Sequence, residues 1–117
     1  MTHTDHDWGV VKAKKEIIGV KVNATTGEDL GEIEEIVLNK QSGQVNYVVL
    51  SYGGILGMGD KLLAIPWNAL HYDDDKDTFV LDVDKEKIKS APSFDKDHWP
   101  NFADKTWIKT ISDYYQH

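Results

Sequence analysis

Short runs of β-branched and aromatic residues recur about every ten residues along this chain, each closed by turn formers, and that spacing limits the fold most. Ile18, Val20 and Val22 alternate with Gly19 and Lys21, the period of two of a half-buried strand. "NATTGEDLG" supplies a turn at Gly27, and "GEIEEIVLNK" follows as a second strand with a break in phase. Ile33 falls on one face and Ile36 and Leu38 on the other. One extra residue at Glu34–Glu35, a β-bulge, would bring all three to the same side. "KQSGQ" is a hairpin turn through Gly43, and "VNYVVLSY" is apolar on both faces, as a central strand should be. "KLLAIP" is a fourth strand ended by Pro66, "PWNAL" a single tight turn, and "HYDDDKD" a polar connection. In "TFVLDV", Phe79, Leu81 and Val83 share a face, and "DKEKIKSAP" adds a helical turn before Pro92. The expectation is a mainly β chain: a small antiparallel barrel of about five or six strands. Its core should contain Ile18, Val20, Val22, Ile33, Ile36, Val48, Leu50, Ile65, Phe79 and Leu81.

The two ends differ from this middle. Residues 1–14 are polar apart from Trp8 and are expected to be a flexible tail. Residues 15–90 carry the barrel pattern, and residues 91–117 form an aromatic C-terminal extension. There Ala103, Trp107, Ile111 and Tyr114 fall at helical spacing with Ile108 and Tyr115 alongside, an amphipathic helix of about three turns with Pro100 near its start. That stripe has to be covered, either by its own barrel or by another subunit.

Size and composition narrow the chemistry. A chain of 117 residues has room for one domain with a modest core. It has no cysteine, which excludes disulfides, thiolate metal sites and cysteine nucleophiles, and suits the cytoplasm. No stretch approaches the roughly 18 apolar residues of a spanning helix, so no direct membrane insertion is expected. The formal net charge is −7 and every basic residue is a lysine, scattered among aspartates. A nucleic-acid binder shows a basic face and arginines for bidentate contacts, so nucleic acid is not an expected partner.

Gly53, Gly54, Gly57 and Gly59 crowd the loop after "VNYVVLSY". A phosphate cradle needs a strand before it and a helix after it; here a strand follows, and Asp60 would repel phosphate. The glycines suit a corner in a sheet instead. Ile55, Leu56 and Met58 lie between them, an apolar tip that is a candidate contact surface. Asp73, Asp75 and Asp77 match the opening of a calcium loop, but Thr78 stands where that loop needs glycine and Asp84 where it needs glutamate. A solvated hairpin loop is the simpler reading. His3, Asp5, His6 and Asp7 sit in the polar tail, a poor place for a metal, and His71 and His98 have no partner that spacing identifies. Glu34 and Glu35 are not a ready acid/base pair. No catalytic residues, metal or cofactor are assigned.

In order and spacing, "IIGVKV", "TGEDLGEIEEIVLN", "SGQVNYVVLSYGGILGMGDK" and "AIPWNAL" resemble the PRC-barrel domain over roughly residues 16–90. The resemblance implies a barrel of about six strands acting as an interaction module, with no catalytic residues. Such domains occur in the cytoplasmic part of the photosynthetic reaction centre H subunit, in a ribosome-maturation protein and in many single-domain bacterial proteins. The ending "SFDKDHWPNFADKTWIKTISDYY" is similar to that of stand-alone members. This chain shows neither the membrane helix of the first nor the extra N-terminal domain of the second, so neither specific role is expected to carry over. The function expected is a non-enzymatic, self-associating cytoplasmic adaptor, a homodimer or higher oligomer with an unidentified protein partner. Its candidate surface is Ile55, Leu56, Met58, Trp99, Trp107, Ile111, Tyr114 and Tyr115, because aromatic side chains carry large area at interfaces. The alternative is a small-molecule binder with a pocket between barrel and helix, walled by Trp67, Trp99 or Trp107.

Overall fold

The structure is a computed structural model and describes residues 11–52 and 61–116. A helical turn, α1 (Ala13–Glu16), precedes six strands: β1 (Lys21–Ala24), β2 (Asp29–Leu38), β3 (Val45–Tyr52), β4 (Lys61–Pro66), β5 (Leu70–Asp73) and β6 (Thr78–Leu81). A 3-10 turn, Trp67–Ala69, joins β4 to β5, and helices α2 (Lys85–Lys89) and α3 (Lys105–Tyr115) follow. The strands form one sheet in the order β4-β3-β2-β1-β6-β5. Its outermost strands, β4 and β5, are neighbours in sequence across that short turn, so the sheet has to curl to bring its edges together. The result is the mainly β, barrel-like fold that the strand spacing predicts. One pairing departs from it: β1 and β6 run parallel, with Val22 opposite Phe79.

The first strand begins later than the alternation suggests. Gly19 has φ +86, and residues 19 and 20 reach β2 through Gly19 N–H to Ile33 O (2.7 Å) and Ile33 N–H to Val20 O (2.9 Å). Regular pairing starts only at Lys21. Ile18 and Val20 are consequently half-buried, while Ile17, Val22 and Ala24 are buried. The part of the N-terminal segment described here includes the turn α1, where a flexible tail is expected up to residue 14.

In β2 the register steps from Ile33↔Leu50 to Glu35↔Val49, so Glu34 is the extra residue of the expected bulge. Ile33 is buried and Ile36 half-buried. Leu38 does not join them. A second register shift at Val37/Leu38 turns it outward, 50% exposed, just ahead of the hairpin. That hairpin is held by Asn39, whose Oδ1 accepts from the N–H groups of Gln41 and Ser42, both at 2.9 Å.

The core lies where β3 and β4 meet. Val48, Leu50, Leu63 and Ile65 are fully buried, and both strands are covered on both faces. Phe79 and Leu81 of β6 join them, with Val83 just beyond and Ile88 of α2. The edge of β4 is closed by the extension: Leu62 and Phe94 exchange two backbone hydrogen bonds, both at 2.9 Å. Covering an edge in this way removes a template for unwanted pairing. Helix α3 then packs against β4, and Ile111 and Tyr115 enter the core itself. The helix is capped by Asp104, whose Oδ2 accepts from Trp107 N–H at 2.9 Å, four residues after the expected start at Pro100.

Candidate functional site

The extension lies on the barrel as a chain of rings. Tyr47 of β3 meets Trp107 edge-on at 5.2 Å between centroids, Trp107 meets Phe102 at 5.2 Å, and Phe102 meets Trp99 at 6.2 Å. Phe94 closes the set at 5.1 Å from Trp99. These are the tilted and T-shaped arrangements that aromatic quadrupoles favour. Trp99 differs from the others. Its indole N–H donates to the Lys96 carbonyl at 2.8 Å, which fixes the ring, yet the residue is 42% exposed. Beside it Asp95 and His98 pair at 2.7 Å, and that hydrogen bond, with the Asp97 N–H, holds the Asp95 carboxyl below the usual range.

The surface residues proposed from sequence therefore fall into three groups. Ile55, Leu56 and Met58, with the glycine loop, lie outside the described residues. Trp99 is displayed. The four helix residues face inward to different depths: Ile111 and Tyr115 are buried in the chain's own core, and Trp107 and Tyr114 are half-buried. Tyr114 is also engaged: its hydroxyl donates to the Lys87 carbonyl at 2.5 Å, and the Lys87 ammonium stands 5.2 Å from its ring centre.

Between the barrel end and α3 opens a cleft of about 630 Å³. Three separated parts of the chain build its barrel side: the start of β3, the 3-10 turn running into β5, and the bend after β6. The helix supplies Ile108, Ser112 and Tyr115. Tyr47, Trp67 and Phe102 give it aromatic surface, while Asn46, Asn68 and Gln116 add side-chain amides. Trp67 is in its wall; Trp99 and Trp107 are not among the described lining residues. Asp82, exposed, is the one carboxylate among the described lining residues, none of which is a lysine, and His71, also exposed, adds an imidazole. The hydroxyl of Tyr115 is buried without a hydrogen-bond partner, and burial pushes its pKa well above that of an ordinary phenol. Sequence spacing does not reveal this site because no local pattern links positions 45–47, 66–71 and 81–83. Tyr47 belongs to a strand apolar on both faces and has the pattern of a core residue.

The acidic run closes the β5–β6 hairpin. Asp73 Oδ1 accepts from Asp75 N–H at 3.0 Å, and the Tyr72 hydroxyl donates to Asp77 at 2.5 Å, raising the tyrosine pKa to about 12. Among the described residues no three carboxylate or imidazole groups gather as a metal site, and no helix is long and apolar enough to cross a membrane.

In comparison with known families, the PRC-barrel domain family model matches residues 9–88. No match was found among curated proteins. The matched span contains the six described strands and all but the last residue of α2, and stops before the aromatic extension.

Proposed function

The chain belongs to the PRC-barrel domain family, and from that premise we propose that it is a non-enzymatic interaction and assembly module that self-associates in the cytoplasm and docks a protein partner. The observation that supports this reading is Trp99. A tryptophan pinned by its own N–H, backed by Phe94 and Phe102 and still 42% exposed, is preorganised contact area. Interface hot spots are enriched in such residues, and little side-chain entropy remains to be lost on docking. Ile111 and Tyr115 are committed to the chain's own core, so the contact rests on Trp99 and its rim. A two-fold dimer is the simplest closed form. Light scattering should give a dimer mass for the full chain at micromolar concentration. Trp99→Ser should lower it towards a monomer with an unchanged thermal melt. A monomeric wild type across that range, or a Trp99→Ser variant that stays dimeric, would remove the reading.

A second reading is small-molecule binding, favoured by the cleft beside α3. Its volume of about 630 Å³ lies inside the range of roughly 300–1,000 Å³ typical of ligand sites.

A further inference from the structure

We infer that the cleft between the barrel end and α3 takes a small organic cation with an aromatic or apolar body, an inference that rests on the ligand-binding reading above. Charge is the first argument. The protein has 13 lysines, yet none is among the described lining residues; the acidic residue there is Asp82, and His71 supplies an imidazole. With a net charge of −7 behind it, the cleft attracts cations and repels carboxylates and phosphates. The walls are the second argument. Tyr47, Trp67 and Phe102 offer ring surfaces whose negative faces favour an ammonium and whose bodies favour apolar groups. Apart from the imidazole of His71, an anionic ligand would meet a carboxylate and no lysine; a cationic one meets a counter-charge and π faces.

Three probes that share one ring and differ in charge test this: tryptamine (cation), indole (neutral) and indole-3-acetate (anion). The readout is an NMR titration of the full chain, following the Trp67 indole N–H and the side-chain amides of Asn46, Asn68 and Gln116. Tryptamine should shift these signals and bind about tenfold tighter than indole, with indole-3-acetate weaker still. Asp82→Asn should bring tryptamine down to the affinity of indole and leave indole unchanged, because Asp82 is exposed and off the core. Equal binding of all three probes would keep the cleft as a ligand site but overturn its preference for cations. Tryptamine affinity unchanged in Asp82→Asn would do the same. Silence of the cleft signals with every probe at millimolar concentration, or shifts confined to residues elsewhere on the acidic surface, would overturn both the inference and the ligand-binding reading. The mass measurements on Trp99→Ser are independent of either result.

Discussion

The barrel wall and the C-terminal extension are both packed with large apolar side chains, but they are held differently. In the wall, β3 is paired along its length on both sides, to β2 and to β4, and its side chains are buried on both faces. In the extension, among the described residues, a two-bond bridge at Phe94, a hydroxyl bond from Tyr114, the burial of Ile111 and Tyr115 and a series of rings fasten residues 91–116 to the barrel. Backbone pairing fixes position to a fraction of an ångström, because a slip of one residue turns every side chain to the other face. Ring contacts are individually small, worth about 0.5–1.5 kcal/mol each beyond the area they bury, and tolerate adjustment. The wall is therefore the place for rigidity. The border between wall and extension is where a surface ring and a cleft can exist without breaking the core.

If that contrast is right, substitutions in the wall should be the most damaging. Phe79 is buried in β6, with Tyr72 at 5.2 Å and Trp67 at 5.8 Å between ring centres. Phe79→Ala should cost about 3–5 kcal/mol, seen as a lower urea midpoint. A midpoint equal to wild type would show that the wall is looser than its burial indicates. Gly31 tests backbone closeness directly. It has φ +129, and an added Cβ would lie 2.0 Å from the Ser51 carbonyl oxygen. Gly31→Ala should cost about 3 kcal/mol or more, combining conformational strain with a clash that only backbone movement relieves. Gly43, also at positive φ (+78) but with nothing within 4 Å of its added Cβ, is the control. Gly43→Ala should cost about 1–2 kcal/mol, the conformational part alone. Equal losses at the two sites would mean that φ, and not the approach of β2 to β3, sets the requirement for glycine.

The wall was legible in the sequence because its constraints are local. "VNYVVLSY" is apolar on both faces because β3 is central, and the phase break at Glu34 marks a real bulge. What escaped was non-local or lacked contrast. Strand β5 hides across the end of "PWNAL" and the start of "HYDDDKD" because only Leu70 of its four residues is buried, so no alternation shows. The parallel β1–β6 seam joins positions far apart in sequence, about which periodicity says nothing. Leu38 is expected on the side of Ile33 and Ile36, because its apolar character says nothing of the second register shift beside it. The periodicity of α3 was legible, but what it packs on was not, since an apolar stripe is the same whether its own barrel or another subunit covers it. The cleft could not be read at all: it exists only once three stretches of barrel and a helix are in place.

The contrast is finest at two neighbouring tyrosines, where the smallest effects are expected. Tyr114 and Tyr115 stand side by side at the end of α3, 5.2 Å between ring centres. Tyr114 spends its hydroxyl on the Lys87 carbonyl, and so ties the extension to α2. Tyr115 reaches deeper, and its hydroxyl is buried with no partner. Tyr114→Phe should therefore cost about 0.5–1.5 kcal/mol, the net worth of an ordinary hydrogen bond. Tyr115→Phe keeps the buried ring and removes an unsatisfied group, so it should leave stability unchanged or raise it by up to about 1 kcal/mol. The pH dependence carries the same information with a definite sign. Burial raises the Tyr115 pKa above the ordinary value of about 10. Above that pH the unfolded chain gives up this proton while the folded chain keeps it, so the unfolded state binds fewer protons and stability falls as pH rises. Tyr115→Phe should make that alkaline fall shallower. Tyr47, Tyr72 and Tyr114, whose values are also raised, keep it from vanishing. Urea melts of the two variants at pH 7 and above pH 10 decide the matter. A Tyr115→Phe variant that loses as much stability as Tyr114→Phe would mean that the Tyr115 hydroxyl is already satisfied.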